Sequence, residues 1–299
     1  MKNTRISRRV AILAAASLAF LAACGGGDAK SSDTTATAQR SGNGKTILSL
    51  SPTATEMIYA IGAGDQVVAV DSLSTYPEET KDKVTKISAF EPNAEAILGY
   101  NPDIVLISND MNKITEQLKT GKPDITVWTG AMASTIDDVY AQITDLGVVT
   151  GHQDGAAALV TKMKADLAEA TKDVKAPAGA SYYYELDNTF YSLTSKTFVG
   201  SLLASTGIAN IADGVEAGND WPQLNAESIV KANPSIIFLA DTKCCQQDAK
   251  AVAARAGWSA IDAVKNNHVV ELDDDVASRW GPRVIDLVKQ MVEAIKALG

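Results

Sequence analysis

The sequence predicts an α/β protein built from two similar lobes, each with a mostly parallel central sheet. Three observations support this prediction: one unit occurs twice, strands alternate with helices in both halves, and a long helical pattern separates the halves. The two copies, residues 93–107 and 225–239, read NAEAILGYNPDIVLI and NAESIVKANPSIIFL. Strands that alternate with helices are typical of a parallel sheet covered on both faces.

Each copy of the unit carries the signals of one helix followed by one buried strand. Asn93 and Asn225 suit the N-cap, because the side-chain oxygen of Asn can accept a hydrogen bond from a free backbone N–H one turn later. The Asn-Pro pair ends the helix, since the residue before proline avoids the α region. The apolar run that follows is typical of a buried parallel strand.

The remaining elements follow from periodicity and turn residues. We expect strands at 47–50, 67–70, 125–128 and 268–272, and helices at 53–62, 111–120, 134–146, 197–206, 246–256, 259–265 and from Pro282 onward. Residues 181–186 and 190–193 predict a hairpin around Asp187-Asn188. Residues 151–175 predict the longest helix, about 37 Å at 1.5 Å per residue.

The N-terminus has the pattern of an export signal. Four basic residues precede an apolar stretch at 10–23 that is short for a membrane span. The stretch ends in Leu-Ala-Ala-Cys24, which resembles a bacterial lipobox and implies lipidation of Cys24. A signal that merely ends in cysteine is the alternative. The predicted organisation is a signal peptide (1–23), a flexible lipid-anchored tether (24–44), an N-terminal lobe (45–150), a linking helix (151–176) and a C-terminal lobe (177–299).

The charge balance argues against nucleic acid as a partner. The chain has 27 basic and 36 acidic residues, and loss of the four signal cations would change the net charge from −9 to −13. Nucleic-acid binding needs a basic surface. Cys244 and Cys245 are adjacent, so they predict either a local vicinal disulfide or two loop thiols.

Several motifs in this order resemble the cobalamin and ferric-siderophore binding proteins of bacterial ABC importers, a class III periplasmic-binding-protein fold. They are the lipobox, the tether, the two repeated units and the stretches LSPTATE (50–56), TYP (75–77) and SRWGPR (278–283). The resemblance implies two α/β lobes joined by one long rigid helix, with the ligand in the cleft between them. It also implies a monomeric, non-enzymatic receptor without a cofactor, which is lipid-anchored to the bacterial cell membrane on its extracytoplasmic side.

The resemblance assigns roles to particular residues by position. Glu95 and Glu227 would dock on the ABC permease, whose ATPase subunits hydrolyse ATP; alternatively, they only stabilise their helices, by about 0.3–1 kcal/mol each. Ligand contacts would come from Phe90, Tyr184, Glu185, Tyr191, Trp221, Arg279 and Trp280. Aromatic walls suit a large chelate, and arginine suits its anionic oxygens. Because alternate strand residues point to opposite faces, at least one of Tyr182–Tyr184 is expected in the core.

The ligand class and the protein class each have alternatives. Leu73 stands where cobalamin-binding members usually carry an aromatic residue, and Phe90 occupies a position that resembles one of their tryptophans. A ferric siderophore, haem or another chelate therefore stays open beside a corrinoid. A bare metal ion is disfavoured, because His152 and His268 are far apart in sequence. An exported hydrolase lacks a Gly-x-Ser-x-Gly motif, and Asp273–Asp275 read more simply as a solvated loop than as catalytic carboxylates. A structural or adhesive lipoprotein is the remaining alternative.

Overall fold

The computed structural model describes residues 42–299, which form two four-stranded parallel sheets. The predicted signal peptide, Cys24 and most of the predicted tether lie outside the described residues. The first sheet has the order β2-β1-β3-β4, and the second has the order β6-β5-β7-β8. The strands are β1 Ile47–Leu50, β2 Val67–Val70, β3 Ile104–Ile107, β4 Thr126–Thr129, β5 Ser181–Glu185, β6 Ala209–Asn210, β7 Ile236–Leu239 and β8 Val269–Glu271.

Helices follow the strands and cover both faces of each sheet. They are α1 Pro52–Ala60, α2 Ala94–Leu98, α3 Ile114–Gly121, α4 Ile136–Thr150, α5 Gln153–Thr171, α6 Phe198–Leu202, α7 Ala226–Ala232, α8 Ala249–Ala253, α9 Asp262–Lys265, α10 Asp274–Ala277 and α11 Val284–Lys296. Short 3-10 helices occupy Gly64–Gln66, Glu78–Lys83, Met111–Lys113, Ala204–Thr206 and Trp258–Ala260. Within residues 42–299, no helix is both long and apolar enough to cross a bilayer.

The repeated unit forms the same structure in both lobes. Asn93 and Asn225 cap α2 and α7 by accepting from backbone N–H groups at 2.9 Å each. The strands that follow, β3 and β7, are completely buried, and alternate residues enter two different cores. Ile104 and Ile236 join the central core, whereas their neighbours Val105 and Ile237 join an outer core of their own lobe. The prediction of two similarly built lobes is confirmed.

Helix α5 lies between the lobes and is shorter than predicted. Gly151 adopts a left-handed conformation (φ 78°) and closes α4, so the two helices are separate and α5 begins at Gln153. Its 19 residues span about 28 Å at 1.5 Å per residue. Helix α5 packs against α1 and α4 of the first lobe and α11 of the second. At Gly155 a Cβ atom would lie 2.1 Å from the carbonyl oxygen of Ile61, so only glycine permits this approach.

Two predictions for the second lobe are wrong. The predicted hairpin does not form, because β5 pairs in parallel with both β6 and β7 and is therefore an inner strand. The turn that follows β5 keeps one hydrogen bond of a hairpin, from Leu186 N–H to Tyr191 O at 2.9 Å. The run Asp273–Asp275 is not an open loop: Asp273 caps α10, and Asp274 and Asp275 form its first turn.

Candidate functional site

The segment from Ser278 to Arg283 belongs to the second lobe and crosses to the first. Arg279 Nη1 lies 3.0 Å from Glu56 Oε1, and Arg283 contacts the same carboxylate at 2.9 Å through Nε and 2.5 Å through Nη2. Glu56 is only 3% exposed, so this charge cluster is largely screened from water. The hydrogen bond to Glu56 raises the pKa of Arg283 above its usual range.

Three further contacts attach the same segment to the first lobe. Arg279 Nη2 donates to the carbonyl oxygen of Leu73 at 3.2 Å, and Trp280 Nε1 donates to Gln142 Oε1 at 3.2 Å. The Arg283 guanidinium lies 4.0 Å from the centroid of the Tyr76 ring. We call Glu56, Arg279 and Arg283 the interlobe clamp. It fixes the segment 278–283 where the two lobes face each other.

Two cavities meet at this segment and share Ser278, Arg279 and Trp280 in their walls. Cavity 1, of about 290 Å³, lies against the carboxyl ends of β1 and β3 in the first lobe, and Phe90 forms part of its wall. Cavity 2, of about 260 Å³, lies between Met132–Ser134 of the first lobe and Leu186, Phe198 and Trp221 of the second. Together the cavities form a cleft between the lobes, as predicted.

Four of the seven predicted ligand residues lie in these walls. Phe90 is 64% exposed at cavity 1, and Trp221 is 45% exposed at cavity 2, so both aromatic faces are available to a ligand. Arg279 and Trp280 border both cavities. The Arg279 guanidinium already donates to the carboxylates of Glu56, at 3.0 Å, and Asp275, at 2.9 Å. Tyr191 is exposed but lines neither cavity, and its backbone bridges to Gln223.

The structure contradicts the cleft positions predicted for Tyr184 and Glu185, because both are 0% exposed. The cause is the inner position of β5, which is covered on both faces. Tyr184 packs against Phe238 in the central core. The Glu185 carboxylate accepts two hydrogen bonds from Arg255, both at 2.6 Å, and Arg255 stacks over Trp258 at 4.5 Å from its centroid. Glu185 therefore belongs to a buried ion pair rather than to a ligand wall.

A second carboxylate, Asp241, is buried close to this ion pair. Burial together with the charge of Glu185 raises the pKa of Asp241 to about 7. Arg255 and Asp274 are the other charged groups that act on it. Asp241 lies two residues after the end of β7, and it lines neither cavity of the cleft. It is a buried acidic group of the second lobe.

The sequence reasoning missed other residues of the cleft. Asp71 directly follows β2, Ser108 and Asn109 directly follow β3, and all three line cavity 1. Lys196 and Asp220 line cavity 2. The signal that could have found the first three is their place after the carboxyl ends of parallel strands, where α/β proteins bind ligands. Burial raises the pKa of Asp71, which is fully enclosed.

Glu95 and Glu227 occupy equivalent places in the two lobes. Each lies in the first turn of a short helix, two residues after the capping asparagine, and each is exposed. Because they belong to the two copies of the repeated unit, the fold presents the same carboxylate once from each lobe. Neither glutamate lines cavity 1 or cavity 2.

The other polar residues considered in the sequence are the acidic run 273–275, the two adjacent cysteines and the two histidines. Lys243 contacts Asp273 at 2.7 Å and Asp275 at 2.8 Å, so the acidic run is partly neutralised. Cys244 and Cys245 are both free thiols in the structure. His152 precedes α5 and His268 precedes β8. Among residues 42–299, no three His, Cys, Asp or Glu side chains are arranged to hold a metal ion.

Two parallel-sheet lobes with a cleft between them define the class of protein to which the chain belongs. The model of the periplasmic binding protein family matches residues 47–276, so the chain is a member of that family. This finding confirms the resemblance predicted from the motifs. The family consists of binding proteins rather than enzymes.

Three relatives illustrate the similarity. The chain is 36% identical to an uncharacterized ABC transporter substrate-binding lipoprotein, YvrC, of Bacillus subtilis, over 84% of this chain and 80% of that protein. It is 29% identical to a cobalamin-binding protein of Halobacterium salinarum, over 83% and 68%. A solved structure from Staphylococcus epidermidis, described as a possible iron-binding periplasmic solute-binding protein, has a TM-score of 0.71 and 27% identity, covering 84% of this chain and 98% of that one.

Proposed function

We propose that this chain is the solute receptor of a bacterial ABC importer and that it captures a metal chelate, either a ferric siderophore or a corrinoid. The observation that carries the proposal is the cleft: Phe90 and Trp221 present exposed rings at its two cavities, and Arg279 and Trp280 lie where the cavities meet. Exposed aromatic faces beside a few polar groups suit a large ligand with both apolar and polar parts.

The relatives support the same ligand class. One is named for cobalamin, which holds its metal within a large organic ligand, and another is described as possibly iron-binding. Haem is the alternative within the class, because it too combines a metal with a planar ring. We infer that Phe90, Trp221, Arg279 and Trp280 contact the ligand, whereas the buried Tyr184 and Glu185 do not.

Delivery would depend on the two exposed glutamates. We propose that Glu95 and Glu227 dock on the permease, one from each lobe, because each is exposed in the first turn of its helix and away from the cavities. The permease and its ATPase subunits would supply the transport step, and the receptor itself would act as a monomer that catalyses no reaction. Lipidation of Cys24 would hold the receptor at the outer face of the cell membrane, since two acyl chains anchor a protein stably.

Isothermal titration tests the receptor function directly. The full chain, solubilised in mild detergent, would be titrated with cyanocobalamin, haem and a panel of ferric siderophores. Saturable one-to-one binding of one compound is the expected result, and it would identify the ligand as well. The absence of binding across the whole panel would contradict the proposed ligand class and favour a structural or adhesive role.

A further inference from the structure

The two cavities of the cleft differ in the charge that they offer to a ligand. Cavity 2 includes Lys196 and the acidic residue Asp220. The Asp220 carboxylate accepts from Thr194 Oγ1 at 3.0 Å, whereas the exposed Lys196 ammonium forms no ion pair with any residue in the described range 42–299. Lys196 can therefore bind an anionic group of a ligand without first breaking an ion pair to a described residue.

Cavity 1 has the opposite character. Of the described residues that line it, Arg279 is the cation, and Glu56 at 3.0 Å and Asp275 at 2.9 Å both neutralise it. Asp71 adds a second carboxyl group to this wall. Among the described residues that line it, cavity 1 therefore offers an anionic group no cation that is free of a carboxylate partner.

The surroundings of Lys196 suit a ring with an anionic substituent. Trp221 and Trp280 lie in the same wall as Lys196, together with Phe198 and Leu193. Apolar and aromatic walls lower the local dielectric constant, which strengthens the attraction between an ammonium group and an anion. Lysine binds such groups as a point charge, without the two-pronged geometry that arginine imposes.

We propose that Lys196 binds an anionic oxygen group of the ligand, a phosphodiester or a carboxylate, and thereby orients the ligand with that group in cavity 2. The metal-bearing ring then packs against the aromatic wall, and the uncharged end of the ligand faces cavity 1. This inference rests on the proposed receptor function and adds a specificity-determining residue to it.

Two pairs of probes test the inference, because the members of each pair differ in the anionic group. Cyanocobalamin carries a phosphodiester, together with the rest of its nucleotide, that dicyanocobinamide lacks, and haem carries two carboxylates that its dimethyl ester masks. Titrations would compare the full chain with Lys196→Met and with the control Lys250→Met. Lys250 is exposed on α8 and lines neither cavity, so its substitution changes the net charge equally.

The expected result is that Lys196→Met weakens binding of the anionic member of one pair about tenfold. The other member of that pair should keep its affinity, and Lys250→Met should change neither. Raising the salt concentration should weaken anion binding less in Lys196→Met than in the unaltered chain, because screening acts on the lost charge. The phosphodiester and the carboxylate are distinguished by which pair responds.

Equal losses for both members of a pair, or none, would overturn the role of Lys196 while leaving the receptor function intact. Failure of the unaltered chain to bind either pair would overturn the inference and would also remove corrinoids and haem from the proposed function. A ferric siderophore that binds in the same experiments would then preserve the receptor class alone. The two failures are therefore distinguishable.

Discussion

Glu56 on α1 accepts two hydrogen bonds from Arg283, which lies in the other lobe and 227 positions later in the chain. Glu56 is buried and Arg283 is partly buried, and Arg279 contacts the same carboxylate. Removal of one partner from a buried ion pair leaves the other charge uncompensated. The free-energy cost of that charge exceeds the net stabilisation that the intact pair provides. The clamp therefore links the lobes at the segment 278–283, which forms part of the wall of both cavities.

Substitution of the clamp carboxylate should destabilise the protein markedly. We expect Glu56→Ala to lower the free energy of unfolding by about 3–5 kcal/mol, because the largely buried guanidinium of Arg283 loses its carboxylate and that of Arg279 loses one of its two carboxylates. Urea denaturation would measure the change. Glu169→Ala is the matched control, since Glu169 is exposed on α5 and should change stability by less than about 0.5 kcal/mol. Equal free energies of unfolding for the two variants would show that the clamp does not stabilise the protein.

The exposed ring of Trp221 should be an anchor for the ligand. We expect Trp221→Ala to raise the dissociation constant more than fivefold, equivalent to more than about 1 kcal/mol, as is usual for a buried aromatic anchor of an interface. Titration with the ligand found in the panel would measure it. Tyr191→Ala is the comparison, because Tyr191 has a similar exposure but lines neither cavity. A larger loss from Tyr191→Ala would place the ligand elsewhere.

The two docking glutamates should matter for transport and not for capture. We expect the double variant Glu95→Lys and Glu227→Lys to abolish ligand uptake by cells while the dissociation constant stays unchanged, because neither residue lines the cleft. Radiolabelled uptake and titration would be measured together. The double variant Glu169→Lys and Glu216→Lys makes the same change in charge at other exposed positions and should transport normally. Normal uptake by the first variant would refute the docking role.

Asp241 should make stability depend on pH. Burial raises its pKa to about 7, whereas an unfolded aspartate has a value near 3.9. Between about pH 4 and pH 7 the folded protein therefore holds the proton that the unfolded chain has lost, so the free energy of unfolding falls as the pH rises through this window. Asp241→Asn removes that fall, because asparagine stays neutral and can donate to Glu185 in place of the proton.

Thermal unfolding across pH 4–8 would test this effect of Asp241. We expect Asp241→Asn to unfold at a higher temperature than the unaltered chain at pH 8, with the difference vanishing near pH 4. Each 1 kcal/mol of added stability corresponds to about 2–4 °C in a protein of this size. Asp124→Asn serves as the control, because Asp124 is exposed. A difference that is the same at every pH would exclude the titration of Asp241 as its cause.

Local patterns predicted most of the fold. The capping asparagines and the Asn-Pro ends of the repeated unit are short-range signals, and the structure forms both helices and both strands where these signals stand. The pattern was less informative where two elements adjoin. The apolar periodicity predicts that Gly151 begins the long helix. In the structure its left-handed conformation ends the preceding helix, α4. The spacing of apolar residues does not distinguish a glycine that begins a helix from one that ends the helix before it.

The ligand wall was predicted less completely, because side-chain burial depends on strand neighbours that are distant in sequence. The sequence predicts that Tyr184 and Glu185 belong to a hairpin strand next to its turn. They are buried because β5 pairs with both β6 and β7. Arg279 and Trp280 were predicted correctly as cleft residues, but their partners Glu56 and Gln142 are in the other lobe. Such contacts have no signature in a single sequence.

The central core has a consequence for how the molecule unfolds. It runs without a break from Ile104 and Ile143 in the first lobe, through Met163 on α5, to Tyr182 and Val288 in the second. Either lobe alone would expose the apolar side that it buries against α5, so neither half is an independent folding unit. Heating should therefore produce one cooperative transition, and a single cut within α5 should expose both lobes to proteolysis together.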